Sequence, residues 1–205
     1  MTNSHSESPV VRAPLGVVRT ERLLLSPIVV GDVEAFAPIF AKVEVWRYPY
    51  GRGMAFDETS RFVAGQISDW ETYGYGLWAM RSIGTNAMLG YVGLSIPRFY
   101  PSILPAVEVG WRLDPEWWGR GYATEGAAAA LDQAFTTLEL DEVWSMPQVD
   151  NVASIAVAER LGMVLDHEAE FPANERRGPV VGAVYRIDSA TWLKRRWTGD
   201  RRTDG

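Results

Sequence analysis

The chain has 205 residues, 47% of them apolar and 22% charged, and contains no cysteine. This length suits one well-buried domain, and the missing thiols exclude disulfide scaffolds, thiolate zinc sites and a cysteine nucleophile. From Lys194 onward the chain is net +3, so the preceding residues are net −9 within an overall −6, a balance that argues against a broad nucleic-acid footprint and suits cationic rather than anionic partners.

Residues 1–16 are polar, with no basic-then-apolar signal pattern, and predict a flexible leader. No apolar run approaches the ~20 residues of a membrane helix, so nothing is expected to span a bilayer; with the absence of cysteine this predicts a cytoplasmic protein. Residues 22–30, with Leu23, Leu24 and Leu25, predict an opening strand. Asp32 is expected to cap a helix to about residue 41, whose apolar side is Ala35, Phe36, Ile39 and Phe40. A loop follows over 46–56, then a helix from Asp57 to about Trp70. Residues 76–81 and 88–95 flank a Gly-Thr-Asn turn and predict an antiparallel pair.

Residues 106–113 alternate, with Val107, Val109, Trp111 and Leu113 on one side and Glu108, Gly110 and Arg112 on the other. A long helix is predicted over about 120–138, a short strand over 142–146, and a helix over 150–161 ended by Gly162. Strands over 163–168 and 180–187 and a terminal helix over 189–196 complete a mixed α/β order. The domain is expected over 17–197, with a basic, polar tail over 198–205. Nine tryptophans suit core and groove positions but identify no ligand.

The most informative stretch is Asp114-Pro-Glu-Trp-Trp-Gly-Arg-Gly-Tyr-Ala-Thr-Glu-Gly126, directly after a strand and at the start of a long helix. Gly119 and Gly121 let the backbone curl with its N–H groups inward, and the positive end of the helix reinforces a site for an anion such as a pyrophosphate. It lacks the Gly-Lys-Ser/Thr ending of a Walker loop, and no third glycine or alanine stands at Thr124 to complete a dinucleotide fingerprint. A plain glycine-containing helix entry would look the same from the turn alone.

Residues 108–125 resemble the GCN5-related N-acetyltransferases (GNAT), and more narrowly the ribosomal-protein alanine acetyltransferases. Three further segments match in order: Thr20-Glu-Arg-Leu-Leu-Leu, Asp150-Asn-Val-Ala-Ser154 and Arg160-Leu-Gly-Met163, so the likeness covers about residues 19–190. It implies a central, mostly antiparallel twisted sheet of six to seven strands flanked by about four helices, with a splayed strand pair holding acetyl-CoA. It also implies cofactor contacts from Trp111, Arg112, Leu113, Trp118, Gly119, Arg120, Gly121, Tyr122, Ala123, Thr124, Asn151 and Ser154. Departures are Trp118 where the wider family has Gln or Arg, Ser26-Pro27 where Arg-Pro is usual, and Ala158 where many members carry a tyrosine acid.

Acetyl transfer to an amine needs a base for the ammonium proton, directly or through a water chain. Glu108 is the first candidate, because it shares the face of Gly110; a structural glutamate paired with an arginine is the alternative. His167 and Glu170 are further candidates. Asn151 is implied to bond the pantetheine arm or to cap its helix, and Ser154 to protonate or bond the leaving thiolate. The acceptor, a protein N-terminus or a small amine, is expected to meet residues 46–56, 97–106 and 171–179. A non-catalytic acyl-CoA-binding sensor is the competing function. The missing G-x-S-x-G elbow argues against a serine hydrolase, and two histidines with no cysteine argue against a metal enzyme. A monomer or a homodimer fits equally.

Overall fold

The computed structural model describes residues 15–174 and 177–200. The strands are β1 (Val18–Arg19), β2 (Leu23–Pro27), β3 (Leu77–Ser82), β4 (Met88–Ser95), β5 (Glu108–Leu113), β6 (Glu142–Ser145), β7 (Val164–Phe171) and β8 (Val180–Asp188). They form one sheet in the order β1-β2-β3-β4-β5-β6-β8-β7, antiparallel at every junction except β5 with β6. The sheet has eight strands rather than six to seven, because the two-residue β1 is too short to show an alternation.

The helices α1 (Val33–Phe40), α2 (Arg47–Tyr50), α3 (Phe56–Tyr73), α4 (Tyr122–Thr136), α5 (Val152–Leu161) and α6 (Ser189–Asp200) lie on both faces. On one face the apolar side of α4, with Ala127, Ala130, Leu131, Ala134 and Phe135, packs with Val157 and Leu161 of α5 and Trp192 of α6 over Val92, Val109, Leu113 and Val143. On the other, Phe36 and Phe40 of α1 and Val63 of α3 cluster with Trp46 over Leu77, Ala79 and Tyr91. Burying apolar side chains on both sides of the sheet, at about 25 cal/mol per Å², is what holds the three layers together.

Local details differ from the sequence reading. Asp32 does not cap α1. Its carboxylate accepts from the Val29 N–H at 2.9 Å and from Arg81, and a buried acid gains more from a guanidinium than from a helix end. The expected 46–56 loop contains the short α2. Leu15 and Gly16, at the end of the predicted leader, are docked: the Leu15 N–H donates to the Gly74 carbonyl at 2.7 Å, and the Trp78 indole donates to that of Gly16 at 2.9 Å. Helix α6 reaches into the predicted tail; residues 1–14 and 201–205 lie outside the described residues.

The feature that positions the site is the junction after β5. Against β4, β5 is paired along six residues, but against β6 it makes the single bridge Glu108 to Trp144, with the Trp144 N–H on the Val107 carbonyl at 2.9 Å. Beyond that bridge the strands diverge. Gly90 of β4 meanwhile presses on β5 so closely that a Cβ there would lie 2.0 Å from the Arg112 carbonyl oxygen. Gly90→Ala should therefore force β4 and β5 apart and cost roughly 2–4 kcal/mol, read as a lowered urea midpoint at unchanged slope.

Candidate active site

Alternate residues of an antiparallel strand direct their N–H and C=O groups to opposite edges. The Asp114 N–H donates to the Leu89 carbonyl at 2.8 Å, so even-numbered residues of β5 face β4 and odd-numbered ones face β6. Past the single bridge, the backbone of Trp111 thus opens into the splay, while the Leu113 carbonyl accepts from the Trp118 indole at 2.9 Å. Arg112 offers the splay neither backbone nor side chain. Its guanidinium turns to the α1 side, bonding the Tyr91 hydroxyl at 3.1 Å and the carbonyls of Val45 and Tyr48 while lying over the Trp46 ring.

At the C-terminal end of β5, Asp114 accepts from the Glu116 N–H at 3.1 Å and closes a short 3-10 turn, Pro115–Trp117. Its carboxylate also holds Lys42 at 2.7 and 2.8 Å. Gly119 (φ 70°) and Gly121 (φ 80°) then take left-handed conformations, which glycine adopts without a Cβ penalty. No side chain caps α4, and its first backbone bond runs from the Glu125 N–H to the Gly121 carbonyl at 3.0 Å. The N–H groups of Tyr122, Ala123 and Thr124 therefore precede the first helical bond, at the positive end of the helix. The Arg120 guanidinium lies 5.2 Å from the Trp117 ring centre, and Trp118 is 51% exposed beside the turn.

Across the splay, α5 begins at Asn151, whose Oδ1 accepts from the Ser154 N–H at 3.3 Å. Asn151 is thus a helix cap, with its amide nitrogen still able to donate. The Tyr48 hydroxyl reaches over to the Asp150 carbonyl at 3.2 Å, tying the α2 segment to the start of α5. Ala158, the position of the usual tyrosine, is fully buried.

Glu108 stands on β5 at the bridge and on the same face as Gly110, where an added Cβ would meet nothing within 4 Å. The Ser95 hydroxyl donates to its Oε1 at 2.9 Å, and among the described residues no ion pair involves it. Burial pushes its carboxyl up to about 7, against the smaller opposing pull of Ser95, which is the range suited to a base at neutral pH. His167 and Glu170 sit on β7, three strands away and roughly 14 Å at the usual spacing. His167 is engaged on both ring nitrogens, by Tyr100 at 3.1 Å and Asp166 at 2.8 Å.

The family model described as an acetyltransferase (GNAT) domain matches residues 22–164, from the opening strand through the start of β7. The chain belongs to the GNAT acetyltransferases. It is similar to the uncharacterised protein YkkB of Bacillus subtilis, 34% identical over 44% of this chain and 52% of that one. It also resembles the FsC-acetyl coenzyme A-N(2)-transacetylase of Aspergillus fumigatus, 43% identical over 42% of this chain and 38% of that one. The chain thus spans about half of YkkB and under two fifths of the fungal protein. Its fold matches the ribosomal-protein-S5-alanine acetyltransferase of Vibrio fischeri at a TM-score of 0.68 and 18% identity, over 86% of this chain and 98% of that one.

In this GNAT domain the contacts of Ser95 and Tyr48 are not announced by the sequence. Ser95 lies thirteen residues before Glu108 and becomes its neighbour only through the β4–β5 register; no local spacing announces it. The raised carboxyl has a stability consequence. A group that keeps its proton longer in the folded chain makes stability fall as pH rises from its ordinary 4.5 to about 7. Glu108→Gln removes that penalty, so it should melt later than wild type at pH 8, by about 1–3 kcal/mol, and show little difference at pH 4.5 when the two are followed by thermal unfolding.

Proposed function

We propose that this acetyltransferase moves the acetyl group of acetyl-CoA directly to a primary amine within a ternary complex. The observation that carries this reading is that one strand, β5, serves both halves of the reaction. Its outer backbone edge opens into the splay and runs to the uncapped turn, while its opposite face carries Glu108 above the open space at Gly110. The donor suits the first and the acceptor the second.

In this reading the pyrophosphate lies on the N–H groups of residues 119–124, whose helix-end field offsets the acidity of the rest of the protein. The pantetheine arm follows the free edge of β5, with the Asn151 amide on its other side. The Trp111 N–H, directed into the splay, polarises the thioester carbonyl as charge develops on oxygen. Glu108 takes the proton of the incoming ammonium. The amine nitrogen then bonds the acetyl carbon, the carbon–sulfur bond breaks, and the departing thiolate takes up the proton that the nitrogen sheds on becoming an amide, with Ser154 hydrogen-bonding the sulfur. Arg112 has no part in donor binding; it fixes the wall of the acceptor side.

The acceptor class is a peptide N-terminus or a small amine. The net −9 of the chain before Lys194 supports an acceptor that arrives as a cation. The names of the similar proteins point both ways, one to an N(2)-transacetylation and one to a ribosomal-protein alanine.

Thiol release from acetyl-CoA, followed against a panel of peptide N-termini and small amines, should show turnover with at least one acceptor class. Tight acetyl-CoA binding with no turnover on any acceptor would instead establish a sensor. With an active acceptor, Glu108→Gln should lower kcat by about 100-fold or more and remove the rise of kcat/KM through about pH 7. Ser154→Ala should slow turnover with little change in acetyl-CoA affinity; unchanged turnover would remove the hydroxyl from the mechanism.

A further inference from the structure

The Thr20-Glu-Arg segment, whose Arg22 is the first residue of the family match, has no role in the chemistry above. In the fold it lands on the cofactor turn. The Glu125 carboxylate, in the first turn of α4, accepts from the Thr20 hydroxyl at 2.6 Å, the Arg22 N–H at 2.9 Å and the Arg22 Nε at 2.6 Å. The same guanidinium donates through Nη1 to the Arg120 carbonyl at 3.0 Å, and its centre lies 4.5 Å from the Tyr122 ring centre. A Cβ at Gly121 would sit 3.4 Å from its Nη2. One side chain, about a hundred residues away in sequence, thus touches positions 120, 121, 122 and 125.

Glu125 makes this contact consequential. An acid in the first turn favours the helix dipole, but one turn from an anion site its charge repels a bound pyrophosphate. Burial pushes the Glu125 carboxyl up, and the hydrogen bonds from Thr20 and Arg22 more than reverse this and hold it below the usual carboxylate range. The acid is therefore charged at neutral pH, and its neutralisation falls to Arg22, the sole cation paired with it among the described residues.

We propose that Arg22 is a positioning residue for the coenzyme: it cancels the Glu125 charge beside the pyrophosphate and pins the Arg120 carbonyl, so that the turn keeps its N–H groups toward the ligand. The proposal rests on the acetyl-CoA reading of that turn. It assigns the opening motif a role in donor affinity, reached through strand β2 rather than through the turn's own sequence.

The test compares acetyl-CoA with S-acetylpantetheine, a donor that carries the thioester and pantetheine arm but no pyrophosphate. Arg22→Gln should raise the KM for acetyl-CoA about tenfold, a loss typical of one charge-assisted contact, while leaving kcat and the S-acetylpantetheine KM within about twofold. The double variant Arg22→Gln/Glu125→Gln should bind acetyl-CoA better than Arg22→Gln alone, because the uncompensated acid is gone. Retained S-acetylpantetheine turnover serves as the check on folding. Equal losses on both donors, no loss on either, or a double variant no better than the single one would each overturn the role of Arg22. A wild-type enzyme that uses both donors equally well would overturn the pyrophosphate reading itself.

Discussion

A parallel pair of strands joined at one bridge leaves backbone donors and acceptors unmatched, and buried groups of that kind are costly unless something else meets them. The junction of β5 with β6 is such a pair, closed at Glu108 and Trp144 and open beyond. Everything around it has the effect of keeping it open without loss of the sheet. Strand β4 holds β5 along its whole length, β8 holds β6 over all four of its residues, and among the described residues the strands of the two sheet halves pair only at the bridge. The free edge of β5 is therefore a row of backbone acceptors and donors that runs toward the start of α4.

Charge is handled locally rather than by net balance. The chain before its basic end is acidic, yet the turn after β5 presents the N–H groups of a helix start that no side chain caps. The acids nearest to it are paired, Asp114 with Lys42 and Glu125 with Arg22. Glu108 is the contrasting case. It has no cationic partner among the described residues, only the Ser95 hydroxyl, so burial dominates and its carboxyl rises to about 7. Two acids tethered to cations and one bonded only to a hydroxyl among the described residues is the division that tertiary placement produces from three similar side chains.

The α1 side of β5 is held by a second set of contacts. Arg112 clamps the carbonyls of Val45 and Tyr48 and stacks on Trp46, Lys42 reaches Asp114, and Tyr48 reaches Asp150. The segment between α1 and α3 is thereby fastened to β5, to the turn that follows it and to α5.

Local pattern in the sequence determined most elements, the glycine-rich turn and the family. Helix α4 has its apolar stripe, β5 its alternation, and the Gly119–Gly121 spacing its positive φ, because each depends on neighbours within a few residues. Glu108 was legible as an acid on the open face of β5 for the same reason. What only the tertiary structure decided are contacts across large separations. Ser95 meets Glu108 through strand register, Arg22 meets Glu125 across 103 residues, and Asp32 turns from the helix it precedes to Arg81. A side chain's partner is fixed by what the fold brings within about 3 Å, and that distance is not encoded in any spacing along the chain.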